Sequence, residues 1–275
     1  MSAEVLKRLS PCLEWLFAEG EAGLEKRIES AADAGLRHGE MWYWRNRDMA
    51  SIHDRAVGVG LRIEAIVTDP ADLGNSANRE HWLKGVEESV EVVRRIGGRL
   101  LVITAGNRVP SVPMAEQFRS LHKALLEAAR ISKTAGIPLA LEPLNDRVDH
   151  PGTLLTSTKM AMEVLEGVSP DAVGVLWDVY HSSVQGEDLA SVPALLGSRL
   201  IHVQLADDPG RHEPGSGRID WVSVLSALDH ASYTGPLGLE YRPRLPSQES
   251  VAQVADLLAN AARRAGEGTA PTADR

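Results

Sequence analysis

Glu142 in LALEPLN, Asp178 in GVLWDVYHS, Gln204 in IHVQLADD and Glu240 in LGLEYRP each stand at or near the end of a short apolar run, at intervals of 36, 26 and 36 residues. Such intervals are about the length of one strand-plus-helix unit. The four side chains are therefore expected at successive strand ends, facing one point. Three carboxylates and an amide gathered away from water repel one another unless a cation neutralises them, and an all-oxygen set suits a hard divalent metal. A metal site with Glu142, Asp178, Gln204 and Glu240 as ligands follows. On that cation Glu142 and Glu240 would also be acid and base, since a metal polarises a carbonyl while a carboxylate moves the adjacent proton. The chemistry is that of enolisation.

Other residues near these positions add to the picture. His181 lies three residues beyond Asp178, in a loop facing the substrate, and is expected to act as a hydrogen-bond donor or proton relay rather than a ligand. His202 and Gln204 share one face of their run; only the one nearer the strand end reaches the site, which leaves His202 as a satisfied interior histidine. The turn-rich loop DDPGRHEPGSG is expected to expose Arg211 and His212, and the planar fork of Arg211 matches a carboxylate. In MWYWRNRD, residues Trp42 to Arg47 either shape the pocket or form a surface for packing, which leaves a homo-oligomer open. DPADLGNSANRE, after the third apolar run, is long enough to serve as a lid.

The elements that must position these groups follow from periodicity. Strands are expected at residues 13–17, 39–44, 62–67, 99–104, 137–143, 172–178, 200–206 and 237–241, apolar nearly throughout as in sheets buried on both faces. Between them run helical stripes, such as Leu24 with Ile28 and Trp82, Val86, Val90 with Val93. Gly35, Gly60, Gly97 and Gly136 mark returns from helix to strand; Pro113 opens a helix and Thr156 or Ser157 caps one. Eight such repeats without a linker predict an α/β fold, a single-domain (β/α)₈ TIM barrel over residues 1–265. Residues 266–275 are expected to form a flexible tail. On that barrel the strand C-termini form the catalytic face. No GxGxxG follows the first strand, which argues against dinucleotide binding.

Composition narrows the partners. A net charge of −9 repels phosphate backbones and no dense basic run offsets it, so the expected partner is a small molecule and not nucleic acid. No run of about 20 apolar residues predicts a membrane span, no secretory signal precedes the first strand, and the single Cys12 permits no intrachain disulfide. The cytoplasm is the expected compartment.

EPLN at 142–145, WDVYH at 177–181, HVQLAD with PGRHEPGSG across 202–217 and LEYRP at 239–243, taken in order, resemble the xylose isomerase-like sugar isomerases and epimerases, and within them the hydroxypyruvate isomerase family. That resemblance implies Mg²⁺ or Mn²⁺ on Glu142, Asp178, Gln204 and Glu240, with Glu142 and Glu240 as the acid/base pair. It places His181 and Arg211 on substrate oxygens. The implied reaction is conversion of hydroxypyruvate to tartronate semialdehyde through an enediolate. Ketose 3-epimerases of the superfamily carry a histidine and a further glutamate where this chain has Gln204 and Val148, which favours the hydroxypyruvate isomerase branch. A 2-oxo-tetronate isomerase, a keto-sugar epimerase, a C-glycoside lyase and a non-catalytic metabolite-binding barrel remain the alternatives.

Overall fold

In the computed structural model, which describes residues 2–268, eight parallel strands form one sheet in the order β1-β8-β7-β6-β5-β4-β3-β2. A short helix α1 (Ser2–Leu6) precedes β1 (Leu9–Pro11), after which come α2 (Leu24–Asp33), β2 (His38–Glu40), α3 (Met49–Val59) and β3 (Arg62–Val67). The next units are α4 (Arg79–Arg95), β4 (Leu100–Ile103), α5 (Met114–Ala135), β5 (Leu139–Leu141), α6 (Thr158–Val164) and β6 (Val173–Asp178). Then follow α7 (Val179–Gln185), α8 (Val192–Leu196), β7 (Leu200–Leu205), α9 (Trp221–His230), β8 (Leu237–Leu239) and α10 (Ser247–Gly268). Between β1 and β2 the barrel closes through a bridge of Cys12 to Glu40, with Leu13 N donating to the Glu40 carbonyl at 2.8 Å.

Alternation along the strands sorts the core into two layers. Leu101, Ile103, Leu139, Leu141, Val175 and Trp177 join the large cluster beneath the helices, where Trp82, Val86, Val90 and Val93 of α4 are all buried. Their neighbours Ala65, Leu100, Val102, Ala140 and Leu176 form a small separate cluster inside the barrel. At helix ends Gly35, Gly60, Gly97 and Gly136 adopt positive φ, the left-handed geometry that a side chain resists. Ser157 caps α6 by accepting from Met160 N, and Pro113 precedes the first residue of α5.

Two expectations change. The apolar run 13–17 is a turn and not the first strand, which lies at Leu9–Pro11, because Leu13, Leu16 and Phe17 are buried in the outer core instead. The stretch 69–80 is tied down: Leu73 is buried, its N–H donates to the Ala105 carbonyl at 3.1 Å, and Asp72 accepts from Asn107 N at 2.7 Å. Only glycine fits at 106 beside this stretch, since a Cβ there would strike the Ala71 carbonyl. Finally, α10 continues to Gly268, into the stretch expected as a tail; residues 269–275 lie outside the described residues. Among the described residues, no helix is long and apolar enough to cross a membrane.

Candidate active site

At the C-terminal ends of the strands a cavity of about 290 Å³ is lined by Trp15, Trp42, Tyr43, Glu142, His181, Arg211, Glu240 and Arg242, among others. Glu142 follows β5, Asp178 ends β6, Gln204 lies on β7 and Glu240 follows β8; all four are buried. Asp178 and Gln204 are register partners, so their side chains leave the sheet on the same side. The folded chain thus gathers the four expected ligands on one face of the barrel.

Arg211 is buried as well, contrary to the exposure expected of its loop, because carboxylates surround it. Its Nη2 donates to Asp178 Oδ2 at 2.9 Å and to Glu240 Oε2 at 2.6 Å, and its Cζ lies 5.1 Å from the Trp15 ring and 5.2 Å from that of Tyr180. The other oxygen of Glu240 accepts from Trp42 Nε1 at 2.7 Å. Trp42 and Tyr43 line the cavity, whereas Arg45 pairs with Asp69 and Glu88, and Arg47 with Glu14. Of the aromatic and basic cluster only Trp42 and Tyr43 line the cavity, and Trp44 Nε1 donates instead to Ser89 Oγ at 2.9 Å. His212 is half-buried and bonds the Arg242 carbonyl through Nδ1 at 2.8 Å.

Glu142, Asp178 and His181 place potential donor atoms within 4.8 Å of one another, a triad that could hold a metal ion by proximity. The hydrogen bonds restrict what His181 contributes. Asn145 Oδ1 accepts from Val148 N and Asp149 N, so its amide NH₂ faces His181 and donates to Nδ1 at 2.6 Å, beside Asn145 N at 3.3 Å. With Nδ1 accepting, the hydrogen of a neutral imidazole sits on Nε2. Burial first, then the Arg211 charge, push the His181 pKa well below the usual range, so the ring is neutral. Its Nε2–H, 3.6 Å from Asp178 Oδ2 and 3.8 Å from Glu142 Oε1, has no hydrogen-bond partner and is a donor directed at the cavity's oxygens. Gln204 Oε1 is likewise buried without a partner, while its Nε2 donates to Glu40 Oε2 at 2.9 Å. Carboxylates with an orphaned amide oxygen suit a hard divalent cation.

A family model described as xylose isomerase-like TIM barrel matches residues 28–261. The chain belongs to that family. Within it, the hydroxypyruvate isomerase of Escherichia coli is 27% identical over 88% of this chain and 95% of its own length. The 2-oxo-tetronate isomerase of Haemophilus influenzae is 31% identical over 79% of this chain and 87% of its own. A solved structure titled AP endonuclease, family 2, from Brucella melitensis superposes with a TM-score of 0.84 at 24% identity, covering 91% of this chain and 98% of that one, which is a likeness of fold. The relatives make this xylose isomerase-like chain an isomerase.

Electrostatics in this xylose isomerase-like barrel reflect its crowded acids. Burial, then repulsion from Glu240 and Asp178, raises the Glu142 pKa well above the carboxylate range. Burial raises Asp178 to about 7, against the pull of Arg211. A carboxylate raised in the folded state binds protons more tightly there than when unfolded, so stability falls as pH rises from the unfolded value towards the folded one. His181 opposes this below about pH 6.5, the ordinary imidazole range, where the unfolded state takes up the proton that the folded ring refuses. In chelator, therefore, the melting temperature should rise as pH is lowered from 8 to 6.5, and Glu142→Gln should remove much of the rise. A flat profile in the unsubstituted protein would contradict the assigned repulsion.

Glu40 was not anticipated as part of this arrangement. Its signal was a lone acid within the apolar run GEMWYW, a residue whose burial demands partners.

Proposed function

We propose that the protein isomerises a short oxo acid, hydroxypyruvate to tartronate semialdehyde, by proton transfer between carbons 3 and 2. The observation that carries this reading is the convergence of Glu142 and Glu240, both buried, on one small cavity beside the His181 donor. A cavity of about 290 Å³ lies at the small end for ligand sites and suits three- or four-carbon substrates. Mg²⁺ or Mn²⁺ held by Glu142, Asp178, Gln204 and Glu240 would supply positive charge that acidifies the carbon next to the keto group.

Glu142 and Glu240 share the carbon-bound proton transfers: one removes a proton from C3, leaving an enediolate, and C2 is then protonated by the pair. The hydroxyl hydrogen on the C3 oxygen must also pass to the C2 oxygen: His181 Nε2–H gives its hydrogen to the C2 oxygen and takes back the one released by the C3 hydroxyl, so the ring ends neutral and protonated on Nε2 as it began. Asn145 keeps the imidazole in the required tautomer. Trp42 and Arg211 hold Glu240 by both oxygens, fixing the direction of its carboxylate. The indoles of Trp15 and Trp42, in edge contact at 5.2 Å between centroids, form an apolar side of the cavity.

Arg211, bonded to Asp178 and Glu240, would meet substrate oxygens beside them. Arg242 also lines the cavity, near Trp15, and its guanidinium has no hydrogen-bond or ion-pair partner among the described residues, which leaves its charge available to a substrate carboxylate. Tyr43, 44% exposed at the cavity, leaves room for a fourth carbon, so 2-oxo-tetronate is the second substrate to test. Initial rates with hydroxypyruvate, 2-oxo-tetronate and neutral keto sugars should favour the oxo acids. Arg242→Ala should raise KM for the acids by about 10- to 100-fold, the effect of one lost charge-assisted contact, and leave neutral sugars unchanged. Equal rates for acids and neutral sugars would overturn the oxo-acid assignment.

A further inference from the structure

Glu40, at the end of β2, is 3% exposed and bonded at both oxygens: Oε1 to His202 Nε2 at 2.8 Å and Oε2 to Gln204 Nε2 at 2.9 Å. The other ring nitrogen of His202 faces Arg99 Nη2 at 2.9 Å. A guanidinium only donates, so Nδ1 accepts and the ring's hydrogen stands on Nε2, aimed at Glu40. Arg99 is itself fixed by Glu64 Oε2 at 3.1 Å and by the Ile201 carbonyl at 2.9 Å. The sequence of contacts Glu64–Arg99–His202–Glu40–Gln204 therefore has one consistent set of donors and acceptors. At its end Glu40 can only accept, so Gln204 turns its NH₂ towards Glu40 and leaves Oε1 buried without a partner.

Room for this contact comes from Gly238 on β8, the register partner of Gln204. A Cβ at 238 would lie 2.7 Å from both Glu40 Oε1 and Gln204 Cγ. Any side chain there would press the carboxylate and the amide apart.

We propose that Glu40 is a positioning residue that orients the Gln204 amide, so that its oxygen and not its NH₂ serves the cation site. The Arg99-fixed tautomer of His202 is the reference that sets the direction. This rests on the reading of Gln204 as a cation ligand. Glu40 touches neither substrate nor cation; it converts a side chain with two opposite ends into an oxygen donor.

Substituting Glu40→Gln tests the logic because a carboxamide has one accepting and one donating end. His202 Nε2–H demands the oxygen, so the new NH₂ faces Gln204, which must then turn its own oxygen back and present NH₂ to the cation. Mn²⁺ binding to substrate-free protein, followed by the EPR signal of the free ion, should weaken at least about 10-fold. Adding Gln204→Glu in that background returns an oxygen to the site and should restore affinity to within a few-fold of the unsubstituted protein. Glu40→Asp keeps the charge but shortens the reach, and should also weaken binding. Unchanged Mn²⁺ affinity in Glu40→Gln would overturn the proposal, as would an unaffected Glu40→Asp, which would leave charge alone as the role of Glu40. Loss without recovery in the double variant would also reject it, in favour of a structural role. If the unsubstituted protein takes up no Mn²⁺, the reading of the site as a cation site fails first and the inference falls with it.

Discussion

Glu240→Gln should lower kcat by about 10³-fold, within the range that a positioned general acid or base contributes. The substitution keeps the shape of the side chain and removes its capacity to take a proton. It also breaks a specific geometry: Glu240 accepts from Trp42 Nε1 and from Arg211 Nη2 at once, and a carboxamide has one accepting end for two donors. The unsatisfied donor would turn away and leave the side chain less well aimed. The fold should persist, because β8 is held by its pairing with β1 and β7 and not by this side chain. Circular dichroism melts should therefore move by only a few degrees while turnover collapses. Near-native turnover would remove Glu240 from the acid/base pair.

The second large effect is expected from chelation. Glu142, Asp178 and Glu240 are buried together with one guanidinium among them, and Glu142 is raised well above the carboxylate range by burial and by the other two acids. A divalent cation would relieve that repulsion and bind the folded state alone, so its removal should cost both stability and turnover. Dialysis against EDTA should lower activity by at least about 100-fold, with recovery on adding Mn²⁺ or Mg²⁺. At pH 8, where the acids most need a counter-charge, the melting temperature should rise on adding the ion. Full activity in chelator, with no metal found by elemental analysis, would overturn the cation reading.

Much of the site was legible because a parallel barrel imposes strand-end positions on its chemistry. Glu142, Asp178, Gln204 and Glu240 were marked by where apolar runs stop, and seven of the eight expected strands overlap those observed. Failure of the remaining strand has a physical cause: residues 13–17 bury Leu13, Leu16 and Phe17 against helices, so their hydrophobicity imitates that of a strand. Arg211 was misread as exposed because composition describes the loop around it, rich in glycine and proline, and not the acids that the fold brings to it. The contacts of the loop at 69–80 were hidden for the same reason, since its partners Ala105 and Asn107 lie on the following strand-to-helix connection. Glu40 and Arg99 escaped notice because their partners are 162 and 103 residues away, joined only when the barrel closes. The tautomers of His181 and His202 depend on such distant donors, so periodicity carries no information about them.

Proton transfer at carbon 3 is the defining step of the proposed reaction. Proton NMR of hydroxypyruvate in D₂O, with the unsubstituted protein and Mg²⁺ and with Glu240→Gln in parallel, follows that event directly. The C3 proton signal should disappear and tartronate semialdehyde should form with the unsubstituted protein, and neither should happen with Glu240→Gln. Retention of the C3 protons by the metal-loaded, unsubstituted protein would contradict the proposed reaction and assign the barrel to another substrate.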